Sequence, residues 1–263
     1  MKAIGVVVHH DKARAASAAE ELIAKCAEHG VVATGVTDRA DGIEALVGVG
    51  GDGTVLQAAA LALEAGLPVA GVNVGRVGYL AEFEIDEIDR LAAAIAEDRL
   101  GIVERMTIVA EHGGASRYGV NDVVVEKVVS QRIIEIGVEI GGHRLARYRT
   151  DGIIAATPVG STAYSLSAGG PIVEPDLEAI VLTPVAPHSL LSRSLVLSPD
   201  TEVRLTVEGS RPAQVNVDGH KAWTVEPEGV VTIRTSDLPI RFLTLGQHPF
   251  PTAVRHQFGL DHA

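Results

Sequence analysis

The chain has 263 residues, 46% of them hydrophobic and 21% charged, with a formal net charge of -12. This is the composition of a folded globular protein long enough for two domains, and it excludes disordered and fibrous classes. The acidic balance and an aromatic content of 3% argue against nucleic acid as a partner, because backbone phosphates need clustered Lys and Arg and single strands need aromatic platforms.

Residues 3–8 (AIGVVV) form an unbroken apolar run, which predicts a first strand buried on both faces and is too short for a signal peptide or a membrane span. The Ala-rich stretch from Lys12 to Glu28 predicts a helix, with Gly30 at its C′ position. Cys26, the single cysteine, falls in that helix as a small packing side chain. One cysteine allows no intramolecular disulfide, so a reducing, cytoplasmic location is expected. Strands follow at Val31 to Val36 and Ala45 to Val49, then a helix from Val55 to Ala65 and a short run Pro68 to Val72. Strands alternating with helices predict a parallel α/β sheet over the first hundred residues. Beyond residue 101 the texture changes to GVNDVVVEKVV, RIIEIGVEI, GIIAAT and EAIVLTPV, separated by Gly, His, Arg and Pro. Further strand-like pieces at 202–207, 213–217, 229–234 and 240–245 make this part mostly β, ahead of a short polar tail. The expected domains are 1–100 and 101–245, with 246–263 as a tail.

The sharpest local pattern is Val49-Gly50-Gly51-Asp52-Gly53-Thr54, between a strand end and a helix start. Glycines there let backbone N–H groups approach phosphate oxygens, and Thr54 is the expected N-cap of the next helix, whose free N–H groups attract anions. Asp52 is the odd member, since a carboxylate repels phosphate; it is suited to accept or orient the proton of an attacking hydroxyl. An ordinary Gly-Asp-Gly turn is the alternative. The dinucleotide fingerprint GxGxxG and the Walker pattern are both absent.

Three more segments follow: Gly71-Val72-Asn73-Val74-Gly75-Arg76-Val77-Gly78-Tyr79-Leu80, Val120-Asn121-Asp122-Val123, and Asp151-Gly152 leading to Thr157-Pro158-Val159-Gly160-Ser161-Thr162-Ala163-Tyr164-Ser165-Leu166-Ser167-Ala168-Gly169-Gly170-Pro171. In this order, with the GGDGT loop, the chain resembles NAD kinases over roughly residues 45–220. The loop alone also resembles diacylglycerol kinases, sphingosine kinases and phosphofructokinases; the Ser/Thr-rich segment separates them. The resemblance implies an α/β N-terminal domain, a β-sandwich-like C-terminal domain with the substrate between them, a tail at 246–263 packing back on the first domain, and a homodimer or homotetramer. It implies transfer of a phosphoryl group from ATP to the 2′-hydroxyl of the adenosine ribose of NAD.

Residue by residue, Asp52 resembles the family's proton acceptor, with Gly51 and Gly53 in the nucleotide site. Asn121 and Asp122 match the pair that contacts the dinucleotide, where a carboxylate suits ribose hydroxyls. Thr162, Ala163, Tyr164, Ser165, Leu166 and Ser167 would line the adenosine and nicotinamide parts. Arg132, Arg149, Asp151 and Ala186 fall at further positions of the pocket, and His220, in a late Val217-Asp218-Gly219-His220 turn, reaches toward the dinucleotide. The chain departs from the pattern at Gln57, where a basic residue is usual, and at Tyr79, where Phe is usual; Arg76 is a candidate replacement charge.

Arg144, Arg147 and Arg149 alternate with Leu145 and Tyr148, either as a solvated strand face or as a partner for phosphates. Trp223 and the tyrosines other than Tyr164 read as packing groups. His9, His10, His143, His188 and His220 have no metal-ligand spacing, so magnesium is expected to arrive with the ATP phosphates, touched at most by Asp52. ATP and inorganic polyphosphate both remain open as donors. Two other functions remain open: a lipid kinase, against which stands the lack of a basic amphipathic membrane-docking segment, and a silent NAD or NADP sensor, against which stands the intact loop with its carboxylate.

Overall fold

The computed structural model describes residues 1–8, 13–37, 40–75, 78–246 and 250–260. In chain order its elements begin with β1 (Ala3–Val8), α1 (Ala13–Glu28), β2 (Val32–Gly35), β3 (Ala45–Gly50), α2 (Asp52–Ala65), β4 (Val69–Asn73), β5 (Phe83–Glu84), α3 (Ile88–Ala96) and β6 (Gly101–Arg105). The next strands are β7 (Ile108–His112), β8 (Ala115–Gly119), β9 (Asp122–Lys127), β10 (Ile134–Ile140), β11 (His143–Thr150) and β12 (Gly152–Ala156). A short α4 (Tyr164–Ser167) precedes β13 (Ile180–Val185), β14 (Leu195–Leu197), β15 (Val203–Glu208), β16 (Ala213–Val217), β17 (His220–Val225), β18 (Val230–Thr235), β19 (Ile240–Thr244) and α5 (Phe250–Phe258). These form two compact units, one with the described residues up to Arg105 and from Ile240 onward, the other Met106–Pro239.

In the first unit the sheet runs β2-β1-β3-β4-β19-β6, with β5 added to β4. Its pairings are parallel except β6 against β19. The apolar runs of β1, β3 and β4 are buried because helices cover them. Ala18, Ala19, Leu22 and Cys26 of α1 and Leu91, Ala92 and Ile95 of α3 pack on Ile4, Val6, Val47, Val49, Ala70 and Val72. Gly30, with φ 77°, ends α1 as expected, and the Val31 N–H donates back to the Cys26 carbonyl at 2.8 Å. Because β1 lies between β2 and β3, strand order reverses there, and the carboxyl ends of β1 and β3 flank the position where open α/β sheets bind ligands.

The borders of the units differ from those drawn on sequence texture. β6 and β19 pair from Ile240↔Arg105 to Thr244↔Gly101, so the divisions fall after Arg105 and after Pro239 rather than near 100 and 245. Local pattern marks a strand but not the sheet it joins. The helix α3 also has its own signal, since Ile88, Leu91, Ala92 and Ile95 are buried at helical spacing.

The second unit holds two six-stranded antiparallel sheets, β11-β10-β15-β18-β7-β8 and β14-β13-β12-β9-β16-β17. Their inner faces share one core containing Ile108, Val123, Val125, Ile136, Ile153, Leu205, Val215 and Ile233. The second sheet is buried on its outer face too, where Val124, Ile154, Ala156 and Val181 meet Ala168 and Val173. That double burial explains why β9 and β12 read as continuous apolar runs instead of alternating.

Candidate active site

In the first unit β3 delivers Gly50 into the loop, and Gly51 is the N-cap of α2 with extended backbone. Asp52 is the first helical residue and Gly53 the second. The expected capping role of Thr54 is corrected: it is the third residue of the helix and buried. Its N–H donates to the Gly51 carbonyl at 2.8 Å, and its side chain packs against Gly50, where a Cβ has no room. The exposed N-terminus of α2 is therefore lined by Gly51, Asp52 and Gly53 without a side-chain cap, which leaves its N–H groups and positive dipole end available to an anion.

Asp52 is held from the opposite side. The Tyr79 and Leu80 N–H groups donate to its Oδ2 at 3.1 Å and Oδ1 at 3.3 Å. Gly78 makes this approach feasible, since a Cβ there would fall on the Asp52 carboxylate. The Tyr79 hydroxyl is buried without a hydrogen-bond partner, and burial, with the Asp52 charge adding, pushes its phenol above the usual range. Beside this group, Asn73 at the end of β4 donates from Nδ2 to both Glu84 oxygens at 3.1 and 3.2 Å and accepts the Gly75 N–H at 3.2 Å. Gln57 lies exposed on α2. Arg76, proposed as its substitute, and His9 and His10 lie outside the described residues.

In the second unit Asn121 and Asp122 lead into β9. Thr157, just past β12, staples them to the Ser/Thr-rich segment: its N–H donates to the Asn121 carbonyl at 2.9 Å and its hydroxyl to the Val120 carbonyl at 2.7 Å. The Gly160 N–H returns to the Thr157 hydroxyl at 3.0 Å. A Cβ on Gly160 would fall on the Asn121 carbonyl, so the 3-10 turn Val159–Thr162 sits directly on the Asn121 backbone. The Asn121 side-chain oxygen is buried and accepts no bond, a vacant acceptor of the kind that folded proteins rarely keep.

Parity along the strands puts Asp122 and Glu126 of β9, Gly152 of β12 and Thr183 of β13 on the outer face of the second sheet, beneath the segment that carries Thr162, Ala163, Tyr164, Ser165, Leu166 and Ser167. Ser165 and Thr183 share a hydroxyl bond of 3.0 Å. Tyr164 is 41% exposed, yet its phenol is pushed up by burial and by the charges of Glu126, Asp151 and Asp122, which Lys127 partly offsets. Asp151 accepts Lys127 Nζ at 2.6 Å and donates its N–H to the Val185 carbonyl at 3.0 Å, next to the exposed Ala186 with φ 44°.

Asp122 is 5% exposed, and burial, then the neighbouring Asp218, push its carboxyl up to about 7. Burial also raises Asp218, against three backbone N–H bonds and His220, which lower it. The two arginines do not join this group through their side chains. Arg132 is exposed in the loop before β10. Arg149 reaches Glu135 at 3.9 Å on the first of the two sheets, where Arg147 also pairs with Glu135, and Arg144 and Arg147 pair with Glu208 at 2.6 and 3.1 Å. The solvated strand face describes β11 better than a phosphate cradle.

Models for the ATP-NAD kinase N-terminal domain and the ATP-NAD kinase C-terminal domain match residues 31–100 and 120–245. The chain belongs to the NAD kinase family. It is 38% identical to NAD kinase 2 of Streptomyces avermitilis over 231 residues, covering 85% of this chain and 76% of that one. It is 37% identical to the NAD kinase of Heliobacterium modesticaldum over 278 aligned positions, 98% of either chain. Among solved structures, an NAD kinase from Archaeoglobus fulgidus in complex with ATP superposes with a TM-score of 0.78 at 26% identity, covering 98% of each chain. Yeast NADH kinase complexed with NADH gives 0.88 at 21% identity, over 100% of this chain and 89% of that one, a likeness of fold.

Four residues of this family member escape motif reading: Glu84, Lys127, Thr157 as a staple, and Asp218 as a ligand of backbone N–H groups. Each acts through a partner distant in sequence or through backbone, so only a Thr before a Pro-Val-Gly turn carries a local hint.

Proposed function

We propose that this chain transfers the γ-phosphoryl group of ATP to the 2′-hydroxyl of the adenosine ribose of NAD, forming NADP. The observation that carries the reading is the Asp52 carboxylate, gripped by the Tyr79 and Leu80 N–H groups at the open N-terminus of α2, in a chain matched by both family domains. Asp52 accepts or orients the hydroxyl proton, which leaves the oxygen free to form the new P–O bond as ADP departs. The N–H groups around Gly51 and Gly53 and the dipole of α2 take up phosphate charge. Asn121 offers its vacant acceptor and Asp122 its carboxyl to the dinucleotide, with Thr162 to Ser167, Asp151, Ala186 and His220 completing that subsite. In this reading Gly51, Asp52 and Gly53 carry the phosphoryl chemistry, and Asn121, Asp122 and the Thr162 to Ser167 segment hold the dinucleotide.

Among the described residues no group of three His, Cys, Asp or Glu side chains converges as a metal cage. Magnesium in this reading travels with the ATP phosphates, where it neutralises charge, and Asp52 is the protein group suited to touch it. No helix among the described residues is long and apolar enough to cross a membrane. A cytoplasmic homodimer or homotetramer that binds no nucleic acid completes the proposal. The test is a coupled assay for NADP from NAD, ATP and magnesium, with polyphosphate as a second donor and Asp52→Asn as control. NADP formation that drops by orders of magnitude in Asp52→Asn, with NAD binding kept, supports the assignment; a fully active variant removes Asp52 from the chemistry.

A further inference from the structure

The turn between β16 and β17 lies beside the chain just before β9, the strand with which β16 pairs up to Val217↔Val123. Asp218 Oδ2 accepts the Val120 N–H at 2.8 Å, and its Oδ1 accepts the Asn121 N–H at 2.8 Å and the Asp122 N–H at 3.1 Å. The Asp218 N–H donates back to the Asp122 carbonyl at 3.0 Å. Asp218 is buried and sits at φ 50°, in the left-handed region that a non-glycine residue occupies only when its surroundings over-determine it. Three consecutive amides turned onto one carboxylate form a charge-assisted cluster, each bond roughly twice as strong as a neutral turn bond.

We propose that Asp218 is a positioning residue of the dinucleotide subsite: its carboxylate gathers the Val120, Asn121 and Asp122 N–H groups and so fixes the direction in which the Asn121 amide and the Asp122 carboxyl are presented. This rests on the reading of Asn121 and Asp122 as dinucleotide contacts. The clamp works with the Thr157 staple, since Asn121 has its N–H on Asp218 and its carbonyl on Thr157, while its side-chain oxygen is buried without a partner.

The same clamp brings a second charge beside Asp122. His220 on β17 faces Asp218; Tyr164 on α4 faces Asp122, and Glu126 and Lys127 on β9 with Asp151 next to β12 face Tyr164 in turn. Burial and the Asp218 charge raise Asp122, so it holds a proton below neutrality and becomes an acceptor for ribose hydroxyls above it. Removing the Asp218 charge therefore disturbs two separable things, the placement of Asn121 and Asp122 and the pH at which Asp122 ionises.

The test uses the full chain, Asp218→Asn, and Asp122→Asn as the titration control. In carboxyl-carbon NMR the Asp122 signal, identified by its loss in Asp122→Asn, should titrate at lower pH in Asp218→Asn than in the parent. The KM for NAD should rise about tenfold or more, as loss of a charge-assisted bond implies, with kcat changed by less than about threefold. Calorimetric NAD binding from about pH 5.5 to 8.5 should weaken on the acid side in the parent and stay flat in Asp122→Asn. An unmoved Asp122 titration, or an unchanged KM in folded Asp218→Asn, overturns the proposal. An acid limb that survives in Asp122→Asn assigns the pH effect to another group such as His220 and overturns it as well. If Asp218→Asn fails to fold, the parent alone decides: the Val120, Asn121 and Asp122 amide protons should lie downfield and exchange slowly, and ordinary shifts with fast exchange refute the clamp. A parent that binds no NAD sinks the functional reading, while the carboxyl titration and the amide shifts judge the clamp in the same samples.

Discussion

Replacing Gly78 with alanine adds one methyl and leaves every functional group of the site chemically intact. The new Cβ would fall on the Asp52 carboxylate, nearest Oδ1 and 2.8 Å from Oδ2, whereas ordinary contact needs roughly 3.4 Å or more. Asp52 must then withdraw by more than about 1 Å and release the Tyr79 and Leu80 N–H groups. Misplacing a reacting group by about 1 Å costs on the order of 100-fold in rate, which is about 2.7 kcal/mol of barrier. The two lost bonds weaken the fold by only about 1–2 kcal/mol, because Asp52 is half-exposed and water replaces the donors. In the NADP-forming assay, Gly78→Ala should show kcat down about 100-fold, KM for NAD within about threefold of the parent, and a small drop in urea midpoint. A folded Gly78→Ala protein with kcat within about twofold of the parent would refute the argument that turnover depends on where Asp52 is held.

Gly160→Ala strikes a neighbour that cannot swing away, the Asn121 backbone; urea unfolding should report a loss of about 2–4 kcal/mol, with weaker NAD binding, and unchanged stability would contradict the close approach. Asp122 carries its proton in the folded chain up to about 7, against 3.8 for an ordinary aspartate. Between those values the folded state binds more protons than the unfolded one, so this group's contribution makes stability fall as pH rises, by up to about 4 kcal/mol over the window. Comparing urea unfolding of the parent and Asp122→Asn across that range should show the steeper fall in the parent, the difference being the Asp122 contribution; identical slopes would reject it. The Cys26 thiol is fully buried and pushed up to about 11, so an aromatic disulfide reagent should leave it untouched in the native protein and label one thiol after unfolding; rapid native labelling would show that α1 opens locally.

Much of the fold could be read from local pattern. The apolar runs of β1, β3, β9 and β12 announce strands covered on both faces, and Gly30 and the Ala-rich stretch before it announce α1 and its end, because periodicity and backbone preference act over a few residues. Residue type and order likewise single out Asp52 and Asn121–Asp122 as candidate site residues. Sheet membership is not: β6 and β19 pair across about half the chain, and no residue near position 105 or 240 carries that information. The same limit governs the site. That Gly78 yields its Cβ space to Asp52, that Gly160 rests on Asn121, and that Asp218 turns three amides toward itself are facts of approach between segments far apart in sequence. Arg149 shows the converse, a cation that motif order places in the dinucleotide pocket and whose side chain folding pairs with Glu135. Sequence by itself determined which chemical groups this protein has and which short elements carry them; only the tertiary structure decided which groups meet, because contact depends on the summed packing of the whole chain and not on spacing along it.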